Sequence, residues 1–211
     1  MERQDRELET HLSNDLGSIY SALGKYQQAL RDQTKALVIR QELLGERHPN
    51  TATSLNNVGA TYGELGDHHR ALEYKEKALA IRQELLGERH PDTATSLNNV
   101  GATYSELGDH HRTLEYQERA LAILQELFGD LHPTTALCAD NVARDLTKVG
   151  RRYEAFQLLE EFLHTLPNDH RHYTRLNRHR QQLLRGGPLR PGFRQPLHVI
   201  SSRRGEKGKS R

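Results

Sequence analysis

Asn57, Asn99 and Asn141 stand 42 residues apart and carry side chains suited to recognition chemistry. An Asn amide holds one acceptor and two N–H donors, so it can pair with both the C=O and the N–H of one peptide unit. A column of three could hold an extended backbone without reading its side chains. Arg144 and Lys148 offer a second chemistry. Four residues apart on a helix they share a face, where two cations can receive an acidic side chain or a peptide C-terminus. The thirteen histidines point less clearly to chemistry. His68-His69 and His110-His111 are adjacent, so on a helix their rings diverge by about 100° and do not chelate one ion. His48, His90 and His132 each precede a proline. Cys138 has no obvious paired base and is expected to be inert. No Gly-rich phosphate loop, nucleophile elbow or HExxH pattern occurs, and Glu42, Glu84 and Glu126 recur as solvated helix positions. Catalysis, a cofactor and a bound metal are not expected.

The elements that position these side chains follow from internal repetition. Residues 45–86 match residues 87–128 at 35 of 42 positions. The frame extends back through Asn14, Gly17, Tyr20, Gly24 and Ala29, and forward through His132, Pro133, Asn141, Val142 and Gly150. About four units result, above the roughly three needed to bury a continuous core. Each reads as two antiparallel helices. In the second unit Pro49-Asn50 opens helix A with Asn50 as N-cap, a role that Asp92 fills in the third. Leu55, Val58, Gly59 and Tyr62 form its inward stripe. Leu65-Gly66 closes it, and Asp67 caps a helix B that buries Ala71, Leu72, Ala78, Leu79, Ile81, Leu85 and Leu86 before Gly87. Gly59 opposite Ala71 lets the two backbones approach closely. The units fall at about 11–45, 50–87, 92–129 and 134–166, an array over 11–166 behind an N-terminal extension, 1–10. A capping helix over 168–185, opened by Asn168, covers the last open face with Tyr173, Leu176, Leu183 and Leu184.

Composition agrees with stacked thin layers. Hydrophobic residues make up 35% of the 211, and mean hydropathy is −0.83. Charge is divided: residues 1–167 carry 18 Lys/Arg against 26 Asp/Glu, residues 168–211 carry 12 against 2. The segment 186–211 holds seven Lys/Arg against Glu206 and reads as a disordered basic tail. One cysteine allows no internal disulfide, and neither a signal peptide nor a spanning segment is seen, so a cytoplasmic location is expected.

Leu55, Gly59, Tyr62, Ala71 and Ala78 fall at the spacing of the tetratricopeptide signature, although its helix A Trp and late Pro are missing. The 42-residue unit, with His-Pro-Asp-Thr-Ala and Leu-Asn-Asn around helix A, resembles the repeats of kinesin light chain and nephrocystin-type proteins. The resemblance spans about residues 10–165 and implies an all-α fold, a right-handed α-solenoid whose helices A line a concave groove. It also implies a protein or peptide partner held there, with Asn57, Asn99 and Asn141 as contacts. Asn56, Ala60, Asn98 and Ala102 stand where chaperone-binding members place Lys or Arg, so the two-carboxylate clamp of those proteins is absent.

With Leu55, Val58, Gly59 and Tyr62 inward, Asn56, Asn57, Ala60, Gly63 and Glu64 project to the groove or its rim. Their equivalents include Asn98, Asn99, Glu106, Asp140, Asn141, Arg144 and Lys148. Two roles fit the Asn column: gripping a peptide, or bonding the neighbouring helix A and water. Two other functions fit the chain, a self-association module and a tail that touches nucleic acid or an anionic surface.

Overall fold

The computed structural model describes residues 2–189. Among these, nine α-helices follow one another: α1 (Glu2–Ala22), α2 (Tyr26–Leu44), α3 (Pro49–Glu64), α4 (His68–Leu86), α5 (Pro91–Glu106), α6 (His110–Phe128), α7 (Pro133–Lys148), α8 (Arg152–Thr165) and α9 (Tyr173–Arg185). Each helix packs chiefly on its neighbours in the chain. The result is an all-α solenoid of four pairs, with α9 laid on the last.

Pairing within a unit depends on small residues. A Cβ on Gly59 would lie 3.0 Å from the Ala71 carbonyl oxygen and 3.2 Å from Tyr74 Cβ, so α3 and α4 touch nearly backbone to backbone. Tyr62 then lies flat on Tyr74 at 5.4 Å between ring centroids, and Tyr104 on Tyr116 at 5.5 Å. The turn between helices A and B needs a left-handed residue: Gly66 has φ +80°, and Asp67 N–H reaches back to the Tyr62 carbonyl at 2.9 Å. Asp67 Oδ1 accepts from Arg70 N–H at 3.1 Å and caps α4, as the sequence predicts.

The start of helix A differs from the prediction. The N-cap is the histidine, two residues earlier than Asn50 and likewise two earlier than Asp92. Nδ1 of His48, His90 and His132 accepts from the N–H of Asn50, Asp92 and Thr134 at 3.1, 3.1 and 3.3 Å, with proline at the first helical position. Proline at the first helical position has no N–H to leave unpaired, and the cap accepts from the second helical residue, so Asn50 and Asp92 are donors to the cap rather than caps themselves. Thr51 Oγ1 then donates to the Gly45 carbonyl at 2.8 Å and fixes the loop. Replacing His48, His90 and His132 together by Ala is expected to cost about 2–3 kcal/mol, near 1 per cap, whereas Asp at the same positions preserves stability. Urea unfolding midpoints of the two triple variants check this.

Other boundaries shift too. Residues 2–10, set apart by sequence as an extension, belong to the first turns of α1. Arg6 pairs with Glu42, and Lys35 with Glu9 at 2.7 Å, joining that stretch to α2. Leu85 is 43% exposed rather than inward, because the end of α4 runs past the α3 it packs on. The capping helix starts at Tyr173 instead of near 168, and buries Leu176 and Leu183 while Leu184 stays exposed. Of the expected basic tail, residues 190–211 lie outside the described residues. The core thickens toward this end, where Leu146, Leu159, Phe162 and Leu176 are fully buried.

Candidate functional site

The first two seams between units are polar and repeat after 42 residues. Arg40 Nη1 donates to Ser54 Oγ at 2.6 Å, and Arg82 Nη1 to Ser96 Oγ at 2.8 Å. Thr61 Oγ1 donates to Gln33 Oε1 at 2.6 Å, and at the next seam Lys75 Nζ donates to Thr103 Oγ1 at 2.8 Å. Burial pushes the Arg40, Arg82 and Lys75 pKa values down; for Lys75 the charges of Glu64 and Glu106 oppose that shift.

On the helix A face the asparagines form a ladder. Asn57 Nδ2 donates to Asn14 Oδ1 at 3.2 Å, and Asn99 Nδ2 donates to Asn56 Oδ1 at 2.9 Å. All four amides are half-buried. Each bond engages one N–H of Asn57 or Asn99, leaving Oδ1 and the second N–H of that amide outside it. Ala60, Glu64, Ala102 and Glu106 beside them are exposed.

The ladder changes at the fourth unit. Asn98 Oδ1 faces Cys138 Sγ at 4.0 Å, where the second and third units carry Ser. Asn141 instead accepts from Arg144 Nη1 at 3.4 Å. Cys138 is buried, and desolvation pushes its thiol up to about 12, so it carries no nucleophile chemistry.

Arg144 and Lys148 lie on one face of α7, as their spacing implies, and each has an acidic partner on its own helix. Arg144 Nη2 meets Asp140 Oδ2 at 2.8 Å; Lys148 Nζ meets Asp145 Oδ1 at 2.8 Å and Ser105 Oγ at 2.8 Å. Asp140, placed by sequence on the groove side, is buried instead. Arg175 Nε and His179 Nδ1 reach it from α9, at 2.6 and 3.0 Å. Burial would raise the Asp140 carboxyl, but the hydrogen bonds from His179 and Arg175 and the charges of Arg144 and Arg175 outweigh it and hold its pKa below the ordinary value. Asp140 and Asp145 were legible as partners, standing four and three residues before the cations they neutralise. That Asp140 also joins α9 was not.

Among the described residues, no three His, Cys, Asp or Glu side chains gather where they could hold a metal ion, and no helix is long and apolar enough to cross a membrane.

Paired antiparallel helices stacked in register, with an amide rung at each of the first two seams on the helix A face, define a repeat solenoid of the kind that scaffolds protein–protein contacts. The chain belongs to the tetratricopeptide repeat family, whose model matches residues 7–84, 58–124 and 92–163. Solved structures agree. A Podosopora anserina kinesin-light-chain-type protein with nearly identical TPR-like repeats superposes with a TM-score of 0.76 at 22% identity, over 84% of this chain and 87% of that one. BtubC (BKLC) from P. vanneervenii gives a TM-score of 0.68 at 26% identity, over 90% of this chain and 70% of that one. The apo form of RapI gives 0.64 at 19%, over 73% of this chain and 54% of that one. No curated protein matches the sequence.

Proposed function

We propose that this chain is an adaptor that holds an extended partner peptide along the face formed by its helices A. The observation that carries this reading is the amide ladder. Asn57 and Asn99 are fixed by their bonds to Asn14 and Asn56, and each keeps an acceptor and a donor for a peptide unit. Fixing the amides in advance lowers the entropy lost on binding. Ala60 and Ala102 beside them are small and exposed, which leaves room for a backbone. Asn141, Arg144 and Lys148 extend the same line onto α7. There the two cations, already paired with Asp140 and Asp145, bind a ligand carboxylate by sharing it rather than as free charges. Membership of a family of protein-interaction scaffolds and the kinesin-light-chain-type neighbours support an adaptor role over catalysis.

The test uses capture of peptides from a display library. Asn57→Ala, Asn99→Ala and Asn141→Ala together are expected to abolish capture with helical circular dichroism unchanged. Asn14→Ala with Asn56→Ala breaks the same two seam bonds from the other side but keeps the column, and should retain most capture. Equal loss in both variants would assign the asparagines to stability alone; unchanged capture in the first would end this reading.

A further inference from the structure

The first helix carries an apolar stripe that nothing within the described residues covers. Leu8, Leu12, Leu16, Ile19 and Leu23 are between 36% and 69% exposed. At 3.6 residues per turn all five fall within an arc of about 80°, along roughly 22 Å of helix. The repeat shows what this face is for elsewhere. Forty-two residues on, Leu12, Leu16 and Ile19 correspond to Ser54, Val58 and Thr61, at 2%, 0% and 2% exposure. Those residues pack on the helix B of the preceding unit, and Ser54 and Thr61 meet its Arg40 and Gln33 through hydrogen bonds. Ser96 and Thr103 repeat the arrangement with Arg82 and Lys75.

On α1 both hydroxyls are replaced by hydrocarbon. A preceding helix B like α2 or α4 would bring an Arg and a Gln or Lys against Leu12 and Ile19 and leave them without partners, at a cost of about 1–3 kcal/mol each. The face is therefore mismatched to a helix B like α2 or α4 at both positions, and to one like α6, with Leu124 in place of the Arg, at Ile19, where Gln117 would stand. It is equally mismatched to the far end of the array, because α9 covers α8 there, with Leu176 and Leu183 buried and Arg152 bonded to the Leu183 and Gly186 carbonyls at 2.5 and 2.8 Å. What an uninterrupted apolar stripe does match is itself.

We infer that α1 is a self-docking surface, on which a second copy of this chain packs its own α1 antiparallel across a two-fold axis. Leu12 then meets the second copy's Ile19, Leu8 meets its Leu23, and the helix dipoles oppose favourably. A two-fold contact closes on itself, so assembly stops at the dimer. The five side chains expose on the order of 500 Å² per copy, and pairing buries on the order of 1,000 Å² before flanking residues, near the lower bound for a specific interface. The dimer is accordingly a concentration-dependent one. This inference stands independently of peptide binding on the helix A face.

Sedimentation equilibrium of the full chain tests it. The wild type is expected to rise from 24.2 kDa toward twice that mass as concentration increases through the micromolar range. Leu12→Glu with Ile19→Glu holds it at monomer mass. Leu12→Ser with Ile19→Thr, which installs the residues of the second and third units and keeps the helix, weakens the dimer by about tenfold or more. Leu85→Glu with Leu131→Glu, at exposed apolar positions elsewhere, leaves it unchanged. A chain monomeric at every concentration, a dimer indifferent to the α1 substitutions, or masses growing beyond the dimer would each overturn the inference. So would a stripe that binds lipid vesicles without self-association, or one that dimerises only after removal of residues 190–211.

Discussion

Asp140→Ala is expected to lower stability by about 3 kcal/mol and to release α9 from the array. The carboxylate is 3% exposed and takes three partners, Arg144 of its own helix and Arg175 and His179 of α9. Removing one member of a buried ion pair costs about 3–5 kcal/mol, because the remaining charges lose their partner without regaining full hydration. Here the lower end applies: Arg144 and Arg175 are 47% and 49% exposed, so water replaces part of what is lost. Protease cleavage between α8 and α9, within residues 166–172, should accelerate in the variant, and hydrogen exchange should rise in α9 before α5. The pH dependence has a definite sign. The Asp140 pKa is lowered on folding, since its hydrogen bonds and cationic neighbours outweigh burial. Its contribution is therefore complete above the ordinary carboxylate range and is lost as pH falls through the depressed folded value. The gap between wild type and Asp140→Ala should be full at neutral pH and close at strongly acid pH. A gap that stays constant would mean that the carboxylate charge is not what joins α7 to α9.

Phe162→Ala should cost about 4 kcal/mol, the largest single effect expected in the array. Phe162 is the largest fully buried side chain, within the cluster that also contains Leu146, Leu159 and Leu176. Its removal leaves a cavity among α7, α8 and α9, and neighbouring Leu side chains held on three helices collapse into it only partly. Phe162→Leu keeps most of the volume and should cost less than about 1.5 kcal/mol. Because stability in a stacked repeat is a sum of local and nearest-neighbour terms, the loss falls on one end. Urea unfolding of Phe162→Ala should separate into two transitions, the last unit and α9 first, α3–α6 later. A single transition shifted as a whole would show that the four units unfold as one.

The sequence carried the architecture because the same local rules recur four times. Gly66 and its equivalents must end helix A where φ turns positive, Asp67 and Asp109 must cap helix B, and Gly59 must sit where two helices touch. Repetition turns each weak local preference into a strong one, so helix pairs were legible without coordinates. The histidine caps were missed for a local reason: an imidazole is a less familiar cap than Asn or Asp, and Asn50 stands two residues beyond His48. Whether Asn57 points to solvent or to Asn14 depends on how two units stack, which no spacing within one unit encodes.

Two features were decided by tertiary contact alone. Asp140 differs from Asn56 and Asn98 by one functional group, yet it leaves the groove side for a buried site because α9 brings a guanidinium and an imidazole over it. Leu12 and Ile19 look, as sequence, like ordinary inward positions of an amphipathic helix. Only the stack shows that their face looks outward, away from the units that follow, with hydrocarbon where the next two seams hold hydroxyls. Repetition along the chain determines what each unit is. Which side chains at the two ends are covered is a property of what stands next to them in space, and the first and last units have neighbours unlike any within the repeat.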